Sequence, residues 1–387
     1  MRIGIDARAL IGERAGIGRF LQGLLEALAH AEHGHEFFLY AYKPFAFDPP
    51  AGRWHVRIHR GGLRAGGAIW LQLYGGALAV RDAVDVFWGP AFHLPVFLPA
   101  RIAALVTVHD LVHVFYPETM ELRNYLAMHA LLRPSLRRAQ HISVDSQATA
   151  ADLNTVLRVP SRKISVLYPG VGSAFRPRDP ASARSRVGQL FGLSGPYVLA
   201  VATVEPRKNL ITLVRAMAAL PEQVRRRWPL VIAGSKGWKN GSLYAAAAPL
   251  LREGTVRFLG YVPDPDLPWL YAGATLFLYP SLYEGFGIPV VEAMACAVPV
   301  VASDISVCRE IAGAAAVYLA PTDVGGWAEA IVRLMSDDAR RRAMGATGIG
   351  QAARFTFEDS ARRLLRMLEC LAAGMPVDGL DSAGMPA

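Results

Sequence analysis

The chain is predicted to be an α/β protein built from two Rossmann-like domains. Three observations predict it. Strand-like apolar runs alternate with helical stretches from the first residues onward. A stretch rich in Pro, Ser and Arg at 171–190 interrupts that alternation, which then begins again. One apolar run, TLFLY at 275–279, passes through a Gly-bearing turn into a helix, the junction at which α/β proteins hold ligands. In the first half the elements are RIGID at 2–6, a helix over 17–29, FFLYAY at 37–42, a helix around 69–80 and VDVFWG at 84–89. AALVTV at 103–108, a long helix through 121–138 and HISVDS at 141–146 complete it. Such βαβ succession implies a parallel sheet. The second half has YVLAVA at 197–202, a helix over 210–219, PLVIAG at 229–234, a helix around 245–252 and VRFLGYV at 256–262. A short helix over 267–271, TLFLYP, the helix after Gly287, VPVVAS, AVYLAP and a helix over 326–336 follow. Beyond Phe355, Leu364, Leu365 and Leu368 recur at helical spacing and predict a terminal amphipathic helix over 356–372. The expected domains are therefore 1–170 and 191–355, joined by a linker at 171–190. Residues 373–387, rich in Gly, Pro and Ala, are expected to be disordered.

The chain's 387 residues are enough for two cores, and 52% hydrophobic with 19% charged residues is ordinary for a globular α/β protein. Cys296, Cys308 and Cys370 form neither a C-x-x-C pair nor a ligand cluster, so they read as small core residues in a reducing compartment. Arg2, Asp6 and Arg8 break any secretory apolar region at the start, and no run approaches the roughly 20 apolar residues that span a bilayer. A cytoplasmic protein is expected. The net charge of +9 is spread over both halves, which excludes a nucleic-acid arm. All ten histidines lie between His30 and His141, so imidazole chemistry must come from the first domain.

The stretch SLYEGFGIPVVEAMA carries the chemistry. Pro289 suits the first helical turn, where its missing N–H costs nothing. The helix start offers unpaired N–H groups and a positive dipole end to a phosphate, and Gly285 and Gly287, with Phe286 and Ile288 beside them, let the backbone approach a ligand. Glu284 sits at the mouth. Glu292 follows Gly287 by one and a half turns, about 7 Å along the axis, so the two carboxylates face different parts of an extended ligand. That arrangement suits sugar and ribose hydroxyls and points to a nucleotide-sugar site. Val290, Val291, Ala293 and Met294 surround Glu292 with apolar neighbours, so the helix is expected to be largely buried and a ligand would offset the cost of its carboxylate. The diphosphate of a nucleotide sugar also calls for positive charge beside it. Arg207 and Lys208 lie between the strand at 197–201 and a helix, the position where parallel sheets bind ligands, with Glu205 placed to orient them through a salt bridge.

Glu284-x7-Glu292 resembles the E-x7-E motif of the retaining family 4 glycosyltransferases, and further likenesses extend over most of the chain. They include GIGRF at 16–20, TVHD at 107–110, VDSQAT at 144–149, LYPGV at 167–171, VEPRKNL at 204–210, VIAG at 231–234 and FLGYV at 258–262. The resemblance implies a GT-B fold, two Rossmann-like domains facing a central cleft, with the C-terminal helix crossing back to the first. It assigns the nucleotide sugar to the second domain, the acceptor to the first, Arg207 and Lys208 to the diphosphate, Glu284 to the sugar's hydroxyls and Glu292 to the ribose. It also implies that His109 contacts the donor sugar, that Asp110 holds its loop, and that Gly16 and Gly18, with Arg19, bring backbone near the phosphates or acceptor. Where the family has Gly before PVV, this chain has Ala297.

Two further patterns compete. GIGRFL invites a dinucleotide-binding reading, but Leu21 takes the third glycine position and Glu36 falls before its strand rather than at its end. Asp264-Pro265-Asp266 spells the D-x-D of metal-dependent transferases, yet it lies in a Pro-rich turn that resembles an ordinary loop of the family, and no metal is assigned to it. Arg57, His59, Arg60 and Arg64 precede Trp70, Leu71, Leu73 and Tyr74, a pattern that suits either an anionic membrane surface or a core helix after a basic loop. The expectation is a cytoplasmic, metal-independent, retaining hexosyltransferase without cofactor. Its favoured donor, from the N-terminal likeness to bacterial mannosyltransferases of polysaccharide assembly, is GDP-mannose, and its acceptor a glycan or lipid-linked oligosaccharide. A UDP-sugar transferase, a nucleotide-sugar epimerase and a non-catalytic binding protein of the same fold are the alternatives.

Overall fold

The computed structural model describes residues 1–13, 16–59 and 67–377. It divides into two units, one of Met1–Gly170 with Thr356–Ala387 and one of Val171–Phe355. The first holds seven strands: β1 (Arg2–Asp6), β2 (Glu36–Ala41), β3 (Trp54–Ile58), β4 (Val86–Gly89), β5 (Ala103–Val108), β6 (His141–Val144) and β7 (Ile164–Val166). Their order is β3-β2-β1-β4-β5-β6-β7, with Ile3 of β1 opposite Phe37 of β2 on one side and Val86 of β4 on the other. Every pairing is parallel. The inner strands are almost wholly buried, as in a parallel sheet whose two faces are covered by helices. The strand β3 escaped the sequence reading. Its residues are half-buried at best, as an edge strand allows, and its Arg57 was read with His59, Arg60 and Arg64 as a basic cluster.

The second unit repeats the plan with β8 (Val198–Val201), β9 (Leu230–Ala233), β10 (Val256–Gly260), β11 (Leu276–Tyr279), β12 (Val300–Ser303) and β13 (Ala316–Leu319). The order β10-β9-β8-β11-β12-β13 is the doubly wound arrangement, reversing direction between β8 and β11. Its core gathers Leu213, Val214, Leu230, Ile232, Leu278 and Trp327 between sheet and helices.

Two expectations need correction. The stretch 171–190 is not simply a linker, because Pro180–Phe191 is a helix. Asp179 caps it by accepting from the Ser182 N–H at 2.8 Å, Pro180 occupies its first turn, and Ala183 and Val187 are buried. The Pro, Ser and Arg content masked an N-cap signal. Packing also does not stop at residue 372: Val377 is 8% exposed and belongs to the first unit's core, so the chain from 373 to 377 is not disordered. The remainder of that tail, 378–387, lies outside the described residues. The sequence reading also passed over the helix Asp338–Ala352, whose many Arg and Gly residues blur the apolar period.

The last helix, Phe357–Ala372, packs its Leu364, Met367 and Leu368 against Leu21, Leu24 and Leu25 of the helix Gly16–His30. It returns to the first unit, as expected. A Cβ at Gly170 would lie 2.2 Å from the Phe357 backbone nitrogen, and one at Gly23 would lie 2.3 Å from its ring. Only hydrogen fits at either position.

Candidate active site

In a doubly wound sheet, loops leaving two neighbouring strands in opposite directions open a crevice at their carboxyl ends. In the second unit those strands are β8 and β11. The loop after β8 contains the one-turn segment Pro206–Lys208, and the loop after β11 contains Ser281 to Glu284. Leu282 N–H donates to the Arg207 carbonyl at 2.9 Å and joins them. Asn209, left-handed at φ 52°, fastens the joint, donating from Nδ2 to the Pro280 carbonyl at 3.0 Å and the Pro321 carbonyl at 2.7 Å. It is 7% exposed, and three strand ends meet on one side chain.

Four charged groups meet at this joint. Arg207 donates from one terminal nitrogen to Glu284 Oε2 and to the Tyr283 carbonyl, both at 2.8 Å, and from the other to Glu205 Oε1 at 2.9 Å. Lys208 Nζ donates to Glu284 Oε1 at 2.6 Å. Glu284 therefore spends one oxygen on each cation, and it is only 8% exposed. Burial pushes its carboxyl up, but Arg207 and Lys208 outweigh that and hold it at about 2. With Glu205 the cluster holds two positive and two negative charges, so any anion reaching the cations would compete with carboxylates already seated there. Tyr279, buried at the end of β11, lies with its ring 5.9 Å from Lys208 Nζ. The sequence reading gave Tyr279 and Asn209 no role in the site, since a buried Tyr in a strand and an Asn at a helix start look structural.

Beyond Glu284 the chain runs through the buried Gly285 and Phe286 to Gly287, whose φ of 118° is open to glycine and which precedes the helix Ile288–Ala295. Glu292, on that helix, is 1% exposed. Ala297, just past the helix, has φ 60°. The family's glycine at this position is thereby explained, because an alanine Cβ is crowded in the left-handed region.

The remaining predicted residues belong to the first unit. Gly16 opens the helix after β1, and Gly18 is buried within it. His109, at the end of β5, is 6% exposed, with Nδ1 2.7 Å from Asp145 Oδ2 and Nε2 2.7 Å from the Pro90 carbonyl. Asp110 Oδ1 accepts from the Val112 N–H at 3.1 Å and so holds its own loop. Asp266 of the D-x-D lies 3.5 Å from Arg186 and starts the helix Leu267–Gly273. Of the basic-aromatic stretch, Trp70 and Leu71 are buried, and Trp70 donates to the His59 carbonyl at 2.9 Å, whereas Leu73 is 50% exposed. Arg60 and Arg64 lie outside the described residues.

Residues 14–175 match the family described as Glycosyltransferase Family 4, and residues 184–351 match Glycosyl transferases group 1. The O-antigen chain mannosyltransferase B of Escherichia coli is 34% identical, over 92% of this chain and 96% of its own. The chain belongs to glycosyltransferase family 4. Among solved structures, sucrose-phosphate synthase of Thermosynechococcus elongatus superposes with a TM-score of 0.76 at 22% identity, over 97% of this chain and all of its own. HepE of Anabaena, in complex with UDP and glucose, superposes at 0.75 with 19% identity, over 96% and 99%. This glycosyltransferase has the GT-B fold. Its charged cluster stands on the carboxyl edge of the second Rossmann-like sheet.

Proposed function

We propose that this glycosyltransferase moves mannose from GDP-mannose onto a growing O-antigen-type glycan or a lipid-linked oligosaccharide, with retention of anomeric configuration and without a metal. The observation that carries the reading is the cation pair at the β8–β11 crevice, held by a carboxylate of the E-x7-E motif, in a chain similar along its length to an O-antigen mannosyltransferase. Arg207 and Lys208 exchange Glu284 for the diphosphate, and Glu284, once released, accepts hydroxyls of the sugar. Glu292 takes the ribose, and the helix start after Gly287 faces the phosphates. The C1–O bond to the diphosphate breaks as the acceptor oxygen bonds to C1 on the same face, and the acceptor's proton passes to the departing phosphate oxygen. Preorganised positive charge there lowers the barrier.

The acceptor's lipid gives the surface of the first unit a role. Ile69 and Leu73, 54% and 50% exposed, stand one helical turn apart, and Val96 and Phe97, 47% and 76% exposed, lie on the segment that Gln72 ties to the same helix through the Leu94 carbonyl and the Val96 N–H. Elsewhere on the first unit, Arg57 and Arg81 share the single carboxylate of Asp82, leaving an excess of positive charge. The apolar surface contacts anionic lipid.

A thermal-shift panel of GDP, UDP, ADP and their hexose forms tests the donor, because a ligand that binds only the folded state raises its apparent stability. GDP-mannose should give the largest shift; a preference for UDP-sugars would replace it. Anomeric NMR of the product and a chelator series test retention and metal independence. A β-linked product, or activity restored only by added divalent metal, would overturn them. Flotation with phosphatidylglycerol vesicles should weaken for Phe97→Glu and with salt, and equal binding by variant and parent would remove the membrane surface.

A further inference from the structure

Two hydroxyls inside the second unit have no use in the charged cluster as it stands. Tyr279 ends β11, and Ser281 follows two residues later in the loop that carries Glu284. Tyr279 is 2% exposed and Ser281 1%, and among the described residues neither hydroxyl oxygen has a hydrogen-bond partner. A buried hydroxyl left unpaired destabilises the fold, so two of them at one site call for a reason. Both lie against Glu284. Burial, and then the charge of Glu284, push the Tyr279 phenol well above its ordinary range. Against the burial that raises it, Arg207, Lys208 and then Ser281 keep the Glu284 carboxyl low. The two hydroxyls are therefore close enough to act on the carboxylate without being bonded to it. The Tyr279 ring lies 5.9 Å from Lys208 Nζ, and its hydroxyl oxygen stands 3.8 Å from where a Cβ on Gly287 would lie. It borders both the cation and the start of the helix Ile288–Ala295. The main chain on either side of Ser281 is fixed, because the Pro280 carbonyl accepts from Asn209 Nδ2 at 3.0 Å and the Leu282 N–H donates to the Arg207 carbonyl at 2.9 Å. Its side chain still has staggered positions to turn between.

Both oxygens of Glu284 are spent, Oε2 on Arg207 and Oε1 on Lys208. An anion that takes those cations leaves behind a carboxylate only 8% exposed, and a buried charge stripped of its partners is strongly unfavourable. Two unused donors beside one displaced acceptor resolve both defects at once. We infer that Tyr279 and Ser281 are positioning residues that receive Glu284 when a diphosphate displaces it: their hydroxyls donate to the released carboxylate and aim its remaining lone pairs at the sugar. A carboxylate has about four acceptor positions, so two inner bonds leave the outer ones for a ligand's hydroxyls. The diphosphate and the sugar rest on the function proposed above. The seat itself requires only an anion at the cation pair.

Tyr279→Phe and Ser281→Ala each remove one donor and little else. In calorimetry with GDP, UDP and inorganic pyrophosphate, the double variant should bind the best of the three about tenfold or more weakly than the parent, the scale of hydrogen bonds lost to a charged group. Without ligand it should melt at the parent's temperature or above, since the free fold loses two unsatisfied donors. In a Glu284→Ala background the same two substitutions should change affinity by less than about twofold, because no carboxylate then needs the seat. Equal affinity of double variant and parent overturns the inference, whether or not the variant melts lower. So does an equal loss of affinity in the Glu284→Ala background, which would mean that the hydroxyls serve the ligand directly. If pyrophosphate binds and neither nucleotide does, the donor reading fails while the same cycle with pyrophosphate still decides the seat. If none of the three binds the parent, no anion displaces Glu284 and the inference falls.

Discussion

Glu284 is placed to do two incompatible things, and its charge decides when. In the free protein it is the anion that neutralises Arg207 and Lys208, at 2.8 and 2.6 Å. On the proposed function, the diphosphate takes that place in the complex. Glu284→Gln should therefore bind free GDP about tenfold more tightly, since a competing carboxylate is gone, while losing turnover by about a hundredfold or more. Weaker GDP binding in calorimetry would count against the exchange. Its carboxyl is held at about 2, below the unfolded value near 4.3, so its stabilising effect is complete above that value and is lost as pH falls toward 2. The variant should lack that acid slope in denaturant unfolding. Lys208→Ala should lower turnover about a hundredfold, and because Lys208 is itself a mostly buried partner of Glu284, it should also cost roughly 1–3 kcal/mol of stability. Equal turnover at saturating donor would remove Lys208 from the mechanism. At Ala297, with φ 60°, the left-handed strain of about 1–2 kcal/mol exceeds the entropy that glycine adds to the unfolded chain, about 0.5–1 kcal/mol. Ala297→Gly should then stabilise the protein slightly, as a raised urea midpoint with unchanged slope.

Among the elements, the terminal helix Phe357–Ala372 matters most to folding. Its Leu364, Met367, Leu368 and Leu371 are buried in the first unit, and at about 1.5–3 kcal/mol for each large apolar side chain they contribute roughly 6–12 kcal/mol, comparable to the whole stability of a domain. A chain ending before Thr356 should fail to fold its first unit, read as lost near-ultraviolet circular dichroism and aggregation. A soluble, cooperatively melting truncation would show that the helix is dispensable. The periodicity at 364, 365 and 368 revealed this helix, but no periodicity names its partner. The helix Pro180–Phe191 shows the opposite case: its cap signal was present at Asp179-Pro180, and composition concealed it.

For the molecule as a whole, two sheets with the same reversal between first and fourth strands create two crevices of different chemistry. The second unit offers cations paired to buried carboxylates. The first offers a histidine whose nitrogens are both engaged. On adding GDP, hydrogen exchange should slow chiefly in residues 198–212 and 276–295, the loops and helices at the β8–β11 crevice, because bound ligand suppresses their local opening. Protection centred instead on the first unit would move the nucleotide site there.

Strand and helix succession, the duplicated layout and the E-x7-E stretch were legible in the amino-acid order, because apolar period and turn residues are local properties. So was the pairing of cations with a helix start near 207–210. What the order of residues could not contain is which strand ends become neighbours, since that follows from parallel pairing across long separations. Only the fold brings Glu284 between Arg207 and Lys208, seats Asn209 among three strand ends and closes both nitrogens of His109 against Asp145 and Pro90. A histidine at the end of a strand looks free in the sequence. Its carboxylate partner, Asp145, comes from just past the neighbouring strand, 36 residues further on, where no local pattern announces it.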